Sequence, residues 1–202
     1  MKRIFVFLSM MALCMVFPPV YASNKAKIGE WAANDKAAIK VTKIETVKGW
    51  NDLGKLIRYG KKEEQLLSKV KQAVDSKEYK IILVHIDMRN DSKEPSNLGY
   101  YITDQWWGYL YLRGEEGTEV ATGGYFGPLS LGQDPSGNFY CGASELTHYL
   151  SGGLAKKAAV APKTAIKGRV VFIVPDWFVP AKVFTKPSQY GFGNSELVII
   201  LK

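Results

Sequence analysis

Tyr79-Lys-Ile-Ile-Leu-Val-His-Ile-Asp-Met-Arg-Asn-Asp-Ser-Lys-Glu-Pro95 decides the fold of this chain. β-Branched and apolar residues dominate Tyr79 to Met88, and neither Gly nor Pro interrupts them, so the stretch predicts one long strand. Side chains alternate across a strand, which puts Ile82, Val84, Ile86 and Met88 on one face and Ile81, Leu83, His85 and Asp87 on the other. The first face is wholly apolar and is expected to look into the core. The second turns polar towards its end and is expected to be only partly covered. Asn90-Asp91-Ser92 ends the strand with side chains that hydrogen-bond their own backbone, and Pro95 cannot donate to a sheet.

Before this strand, Ala37 to Glu45 predicts another, with Ile39, Val41 and Ile44 as its apolar residues. The Val-x-x-Ile spacing makes its alternation imperfect. Leu66, Leu67, Val70 and Val74 recur at helical spacing, predicting an amphipathic helix over Lys61 to Val74 that covers one end of the sheet. After it, Gly99 to Gly114 reads as two short strands joined near Gly108, with Tyr109 and Tyr111 on one face of the second and Leu110 and Leu112 on the other. Ten of the 19 glycines fall between Gly114 and Gly153. That density predicts mainly turns and loops over 114–161, with a short helix from Ser144 to Leu150. Arg169 to Val174, Ala181 to Phe184 and Glu196 to Leu201 read as strands. Short strands, glycine-rich turns and one or two short helices predict a mainly-β protein, a two-layer antiparallel sandwich over residues 37–202.

The beginning of the chain has a different character. Lys2 and Arg3, the apolar Ile4 to Val16, and Val20-Tyr21-Ala22 form the pattern of a secretory signal peptide, with cleavage expected after Ala22. Ser23 to Lys36 is expected to be a mobile leader, with Trp31 as its adhesive residue. The 202-residue chain carries 27 basic and 19 acidic residues, and losing the signal with its two cations leaves 180 residues at a net +6. That length is enough for one self-sufficient core. Lys and Glu are interspersed, as in Lys61-Lys62-Glu63-Glu64, which fits solvated faces better than a nucleic-acid groove. Cys141 is the one thiol left in the mature chain, so no internal disulfide can form, and packing is expected to bury it.

The early Val-x-x-Ile-Glu strand, the Lys80 to Asn90 strand with its Asn-Asp-Ser-Lys-Glu-Pro turn, Ile102-Thr-Asp104 and Gly168-Arg-Val-Val-Phe-Ile-Val-Pro175 together resemble the secreted bacterial immunoglobulin-like proteins of domain of unknown function family 4352. Those are related in fold to a secreted mycobacterial antigen and to telokin. The resemblance spans about Ala37 to Leu201, and its most specific part is the Gly-x-Val-Val-Phe-x-Val-Pro segment. It implies an immunoglobulin-like sandwich outside a cell and no established reaction. The predicted helix at Lys61 to Val74 and the glycine-rich stretch are longer than that family's usual connections.

Few residues offer chemistry. Cys141 and His148 suggest a thiol nucleophile, but on one helix they would stand about 10 Å apart by the helical rise, too far for a hydrogen bond, and only a loop between them would let them meet; a packed thiol and a surface histidine are the expectation. His85 and Asp87 share a strand face with no further metal ligands at recognisable spacing. Asp134-Pro-Ser-Gly-Asn138 has too few oxygen ligands for a calcium loop, and Gly191 and Gly193 follow no strand-to-helix transition. No catalytic residue, metal or cofactor is assigned.

Aromatics carry more weight. Trp106, Trp107, Tyr109, Tyr111, Trp177 and Phe178 form two dense clusters, and alternation prevents Trp106 and Trp107 from both pointing inward. Exposed aromatics anchor protein partners or stack on sugar rings, whereas buried ones cap the ends of a sandwich. The expected function is binding, by a secreted non-enzymatic protein, of another protein outside the cell or at its envelope, through Trp106, Trp107, Tyr109, Trp177 and Phe178. The alternative is a carbohydrate-binding module.

Overall fold

The computed structural model describes residues 23–47, 49–54, 68, 71–72, 74–99, 110–122, 131–133, 139–141, 147, 153–154, 159–187 and 192–202. In chain order the elements are β1 (Lys25–Lys27), β2 (Ala32–Ala33), β3 (Ala37–Val47), α1 (Trp50–Gly54), β4 (Tyr79–Asn90), β5 (Leu110–Gly114), β6 (Glu119–Ala121), β7 (Leu131–Gln133), β8 (Phe139–Cys141), β9 (Ala165–Pro175), β10 (Pro180–Thr185) and β11 (Leu197–Ile200). They form two sheets, a four-stranded one in the order β2-β3-β4-β9 and a seven-stranded one in the order β1-β11-β10-β5-β6-β8-β7. The protein is therefore mainly β, with very little helix, as its sequence predicts. The smaller sheet is antiparallel throughout, while the larger contains two parallel pairings, β1 with β11 and β6 with β8.

β4 is the long strand predicted from Tyr79, and it continues to Asn90. It pairs with β9 from Tyr79 opposite Pro175 to Arg89 opposite Ala165, and with β3 on its other side. Ile82, Val84, Ile86 and Met88 are buried, as expected of the apolar face. On the opposite face Ile81 and Leu83 are fully covered, His85 and Arg89 are partly exposed, and Asp87 between them is buried. The helix expected over Lys61 to Val74 lies mostly outside the described residues; Ser68, Lys71, Gln72, Val74 and Asp75 are helical, and Val74 joins the core.

A bulge explains the irregular spacing in β3. Val41 pairs with Ile86 and Lys43 with His85, so Thr42 is an extra residue opposite no partner. The insertion resets the alternation, and Ile44 returns to the core side while Lys43 points outward. Without it, Val41 and Ile44 would lie on opposite faces.

One expectation is corrected. Ser23 to Lys36 is not a loose leader, because β1 joins the larger sheet beside β11 and β2 joins the smaller beside β3. Ala32 is fully buried, and the Asn34 amide donates to the carbonyls of Phe192 (2.5 Å) and Ser195 (3.1 Å) while its oxygen accepts from the N–H groups of Lys36 and Ala37. Tertiary pairing thus fixes a segment with no apolar period of its own. The glycine-rich region, expected to be mainly turns and loops, contributes the three-residue strands β6, β7 and β8. The helix expected at Ser144 to Leu150 lies outside the described residues apart from Thr147, whose buried hydroxyl accepts the Val171 N–H at 3.1 Å. Fully buried Phe172, Phe178 and Phe192 join the core, and each buried Phe contributes about 1.5–3 kcal/mol.

Candidate functional site

Register places one group of residues at the same end of the larger sheet. β1 ends beside Ile200, β10 begins at Pro180 opposite Gly114, and Lys182 pairs with Ile200. Hydrogen bonds tie these strand ends together, from the Ile28 N–H to the Ile200 carbonyl (3.2 Å) and from the Glu115 N–H to the Val179 carbonyl (3.0 Å). The large hydrophobic side chains exposed among the described residues are Ile28, Trp177, Val179 and Ile200, and all four belong to this end or to the turn leading into it.

Trp177 is 55% exposed and Phe178 is fully buried. The Phe178 N–H closes a turn on the Pro175 carbonyl at 3.0 Å, which directs the phenyl ring inward and leaves the indole outside, with 6.4 Å between ring centroids. Phe178 is therefore removed from the expected binding set: it is a core residue that anchors the turn. Trp106, Trp107 and Tyr109 lie outside the described residues, as do the signal segment, residues 134–138, His148 and Gly191. Cys141 falls in β8 with its side chain outside the described set. Tyr111 stacks on Phe184 with centroids 5.2 Å apart, and Lys186 sits over its ring at 4.2 Å. Sequence reasoning missed Ile28, Val179 and Ile200, because an isolated apolar residue at a strand end gives no periodic signal.

A second surface is polar. The outward face of β3, β4 and β9 carries the rows Lys43–His85–Arg169 and Lys40–Asp87–Lys167, followed by Arg89. Each carboxylate here meets two cationic or titratable groups. Asp87 lies 3.0 Å from Lys40 and 3.9 Å from Lys167. Asp91 accepts two bonds from Arg89, at 2.7 and 2.9 Å, and lies 3.9 Å from Lys163. Glu45 pairs with Lys43 and lies 3.4 Å from His85 Nε2, too poorly aligned for a hydrogen bond. Trp31 is clasped by Lys40 and Arg89, at 4.8 and 5.0 Å from its ring. Among the described residues no three His, Cys, Asp or Glu side chains converge as a metal site.

The Glu45 carboxyl is held below its ordinary pKa of 4.5, chiefly by its hydrogen bond to Lys43, with burial opposing and His85 assisting. A depressed folded-state pKa gives stability that is present above the unfolded value and is lost as pH falls through the folded one. Glu45→Gln is thus expected to flatten the pH dependence of stability below about pH 4.5 and to leave the basic limb unchanged, as read by urea melts. Exposure of Lys43 limits the effect to a few tenths of a kcal/mol.

The Asn90 turn opens onto a cleft of about 700 Å³ lined by Lys36, Asp91, Lys93, Glu94, Pro95 and Lys163 among others. Its charges are mixed, and Asn90 itself is buried beneath it.

No protein-family model and no curated protein matches the chain. Solved structures similar to it include an uncharacterized β-sandwich protein of Clostridium difficile 630, at 14% identity, with 89% of this chain and 95% of that one covered and a TM-score of 0.42. The yjhA protein of Bacillus subtilis shows 10% identity over 88% of this chain and 99% of its own, with a TM-score of 0.43. A conserved hypothetical protein of Bacillus anthracis shows 12% identity over 78% and 86%, with a TM-score of 0.40. The class defined by the chain's own strands is a two-sheet β-sandwich. Fold at this level assigns no activity.

Proposed function

We propose that this chain is an exported, non-enzymatic β-sandwich protein of the immunoglobulin-like kind found in domain of unknown function family 4352, and that it binds another protein outside the cell or at its envelope. The observation that carries this reading is the gathering of Trp177, Val179, Ile28 and Ile200 at one end of the larger sheet. A half-exposed indole backed by a rigid core phenyl can bury a large area while freezing few rotors, as an interface anchor does. The pattern of Met1 to Ala22 supports export. Among the described residues no helix is long and apolar enough to cross a membrane.

The anchor reading predicts that Trp177→Ala weakens partner binding by about 2 kcal/mol or more, roughly thirtyfold in Kd. The same change is expected to alter thermal stability little, since the indole is half outside the fold. Surface plasmon resonance beside a thermal melt reads both, and undiminished affinity would remove Trp177 from the interface. Among the described residues Trp177 is also the exposed aromatic available to the carbohydrate reading. Quenching of indole fluorescence by a glycan, lost in Trp177→Ala, would favour that alternative.

A further inference from the structure

The polar face of the smaller sheet leaves surplus positive charge along one strand. Three acids, Glu45, Asp87 and Asp91, are shared among Lys40, Lys43, Arg89, Lys163 and Lys167, and Arg169 has no carboxylate within 4 Å among the described residues. The face therefore carries a net +3, half of the +6 expected of the mature chain. The most outlying of these cations belong to β9 or to the turn before it. Lys163 is 73% exposed and Lys167 is 77% exposed, both only at long range from their carboxylates. The Asp91 carbonyl accepts from Lys163 Nζ at 2.8 Å, which fixes that side chain at the mouth of the cleft. Lys167 and Arg169 are two residues apart on one face, about 6.8 Å along the strand.

We propose that this stripe, Lys163–Lys167–Arg169, binds an extended phosphodiester polymer. Charge complementarity calls for an anionic chain, and the edge of β9 decides against an acidic peptide added as a further strand. That edge is already engaged at the Arg169 end of the stripe and just past it: the Leu154 N–H donates to the Arg169 carbonyl at 3.2 Å, and the Val171 N–H donates to Thr147. A peptide strand running along the stripe past Arg169 would have to displace these bonds. A phosphodiester chain needs no backbone pairing, carries one fixed charge per repeat, and offers paired oxygens that the Arg169 fork can take together. This site is separate from the Trp177 end and does not depend on it.

The test is equilibrium binding of the mature chain to a synthetic glycerol-phosphate oligomer at low salt, with poly-L-glutamate of equal charge as the comparison. Lys163→Glu/Lys167→Glu/Arg169→Glu is expected to lose about tenfold or more in affinity and to reduce the log–log salt slope by about 2, the value for three contacts to a single strand. Lys25→Glu/Lys71→Glu/Lys182→Glu makes the same charge change on other surfaces and is expected to retain binding. Circular dichroism of both triple variants controls for folding. Equal losses in the two variants, equal affinity for poly-L-glutamate, or no binding of the oligomer by the unaltered chain would each overturn the proposal.

Discussion

Asn90→Ala is expected to lower stability by about 3 kcal/mol, close to 9 °C in Tm for a chain of this size. Asn90 is fully buried, and its side chain makes four hydrogen bonds. The amide donates to the carbonyls of Glu94 at 2.7 Å and Val160 at 2.8 Å, and its oxygen accepts from the Ser92 N–H at 3.0 Å and the Ser92 hydroxyl at 2.6 Å. Its backbone is equally committed, donating to Thr164 O and accepting from Lys163 N. One side chain therefore ties the end of β4 to the 90–96 turn and to the segment entering β9. The Val160 carbonyl keeps the Ser96 N–H, and the Ser92 hydroxyl, whose one proton lies between Asn90 Oδ1 and the Glu94 carbonyl, can turn to Glu94 once Asn90 is gone, which holds the loss to the net value of the bonds removed. Asn90→Asp is expected to be worse than Ala despite its matching shape. It removes both donors and sets a negative charge against two carbonyl oxygens in a site closed to water. Urea unfolding of the three proteins at neutral pH gives the ranking, and an Asp variant as stable as Asn would contradict the assignment of the amide orientation.

Gly168→Ala is expected to cost about 2–3 kcal/mol, the range for overpacking a closed site. A Cβ at this position would stand 2.6 Å from Leu154 Cα and 2.7 Å from Leu154 N, and main chain cannot rotate away as a side-chain tip can. Relief requires the 153–154 segment to lift off β9, breaking the Leu154 N–H bond to Arg169 O and uncovering buried Leu154. Gly49 serves as the comparison, since an added Cβ there meets nothing within 4 Å and Gly49→Ala is expected to be close to neutral. Thermal melts of the two variants separate close approach at Gly168 from a general intolerance of alanine.

Gly168 opens the Gly-x-Val-Val-Phe-x-Val-Pro segment, and its need for a bare backbone is a tertiary fact with no trace in local pattern. The same distinction runs through the fold. β4, β9, β10 and β11 are legible because alternating or continuous apolar residues bounded by Pro, Asn and Gly carry their own signal. The bulge at Thr42 is half legible: the Val-x-x-Ile spacing announces a fault in alternation, and the register with β4 shows its nature. β1 and β2, reading Lys-Ala-Lys and Ala-Ala, are illegible, because their order comes from β11, β3 and the Asn34 bonds. β6 to β8 were hidden by glycine density, which reports turns and says little of the short pairings between them.

Of the candidate site, Trp177 was legible as part of an aromatic cluster, but its separation from Phe178 was not. Two adjacent aromatics in a turn give no periodicity from which to choose the inward one. The polar stripe was also hidden, since Lys163, Lys167 and Arg169 look like scattered charge until the pairing of β4 with β9 shows which carboxylates are already shared.

The measurement that tests the account most directly is capture of cell-envelope protein by the mature chain, run beside a Trp177→Ala/Val179→Ser variant and the Lys163→Glu/Lys167→Glu/Arg169→Glu variant. A saturable partner is expected, lost with the first variant and retained by the second, with unchanged circular dichroism in both. Identical capture by the unaltered chain and the Trp177→Ala/Val179→Ser variant would contradict it, and the apolar end of the larger sheet would then be excluded as the recognition surface.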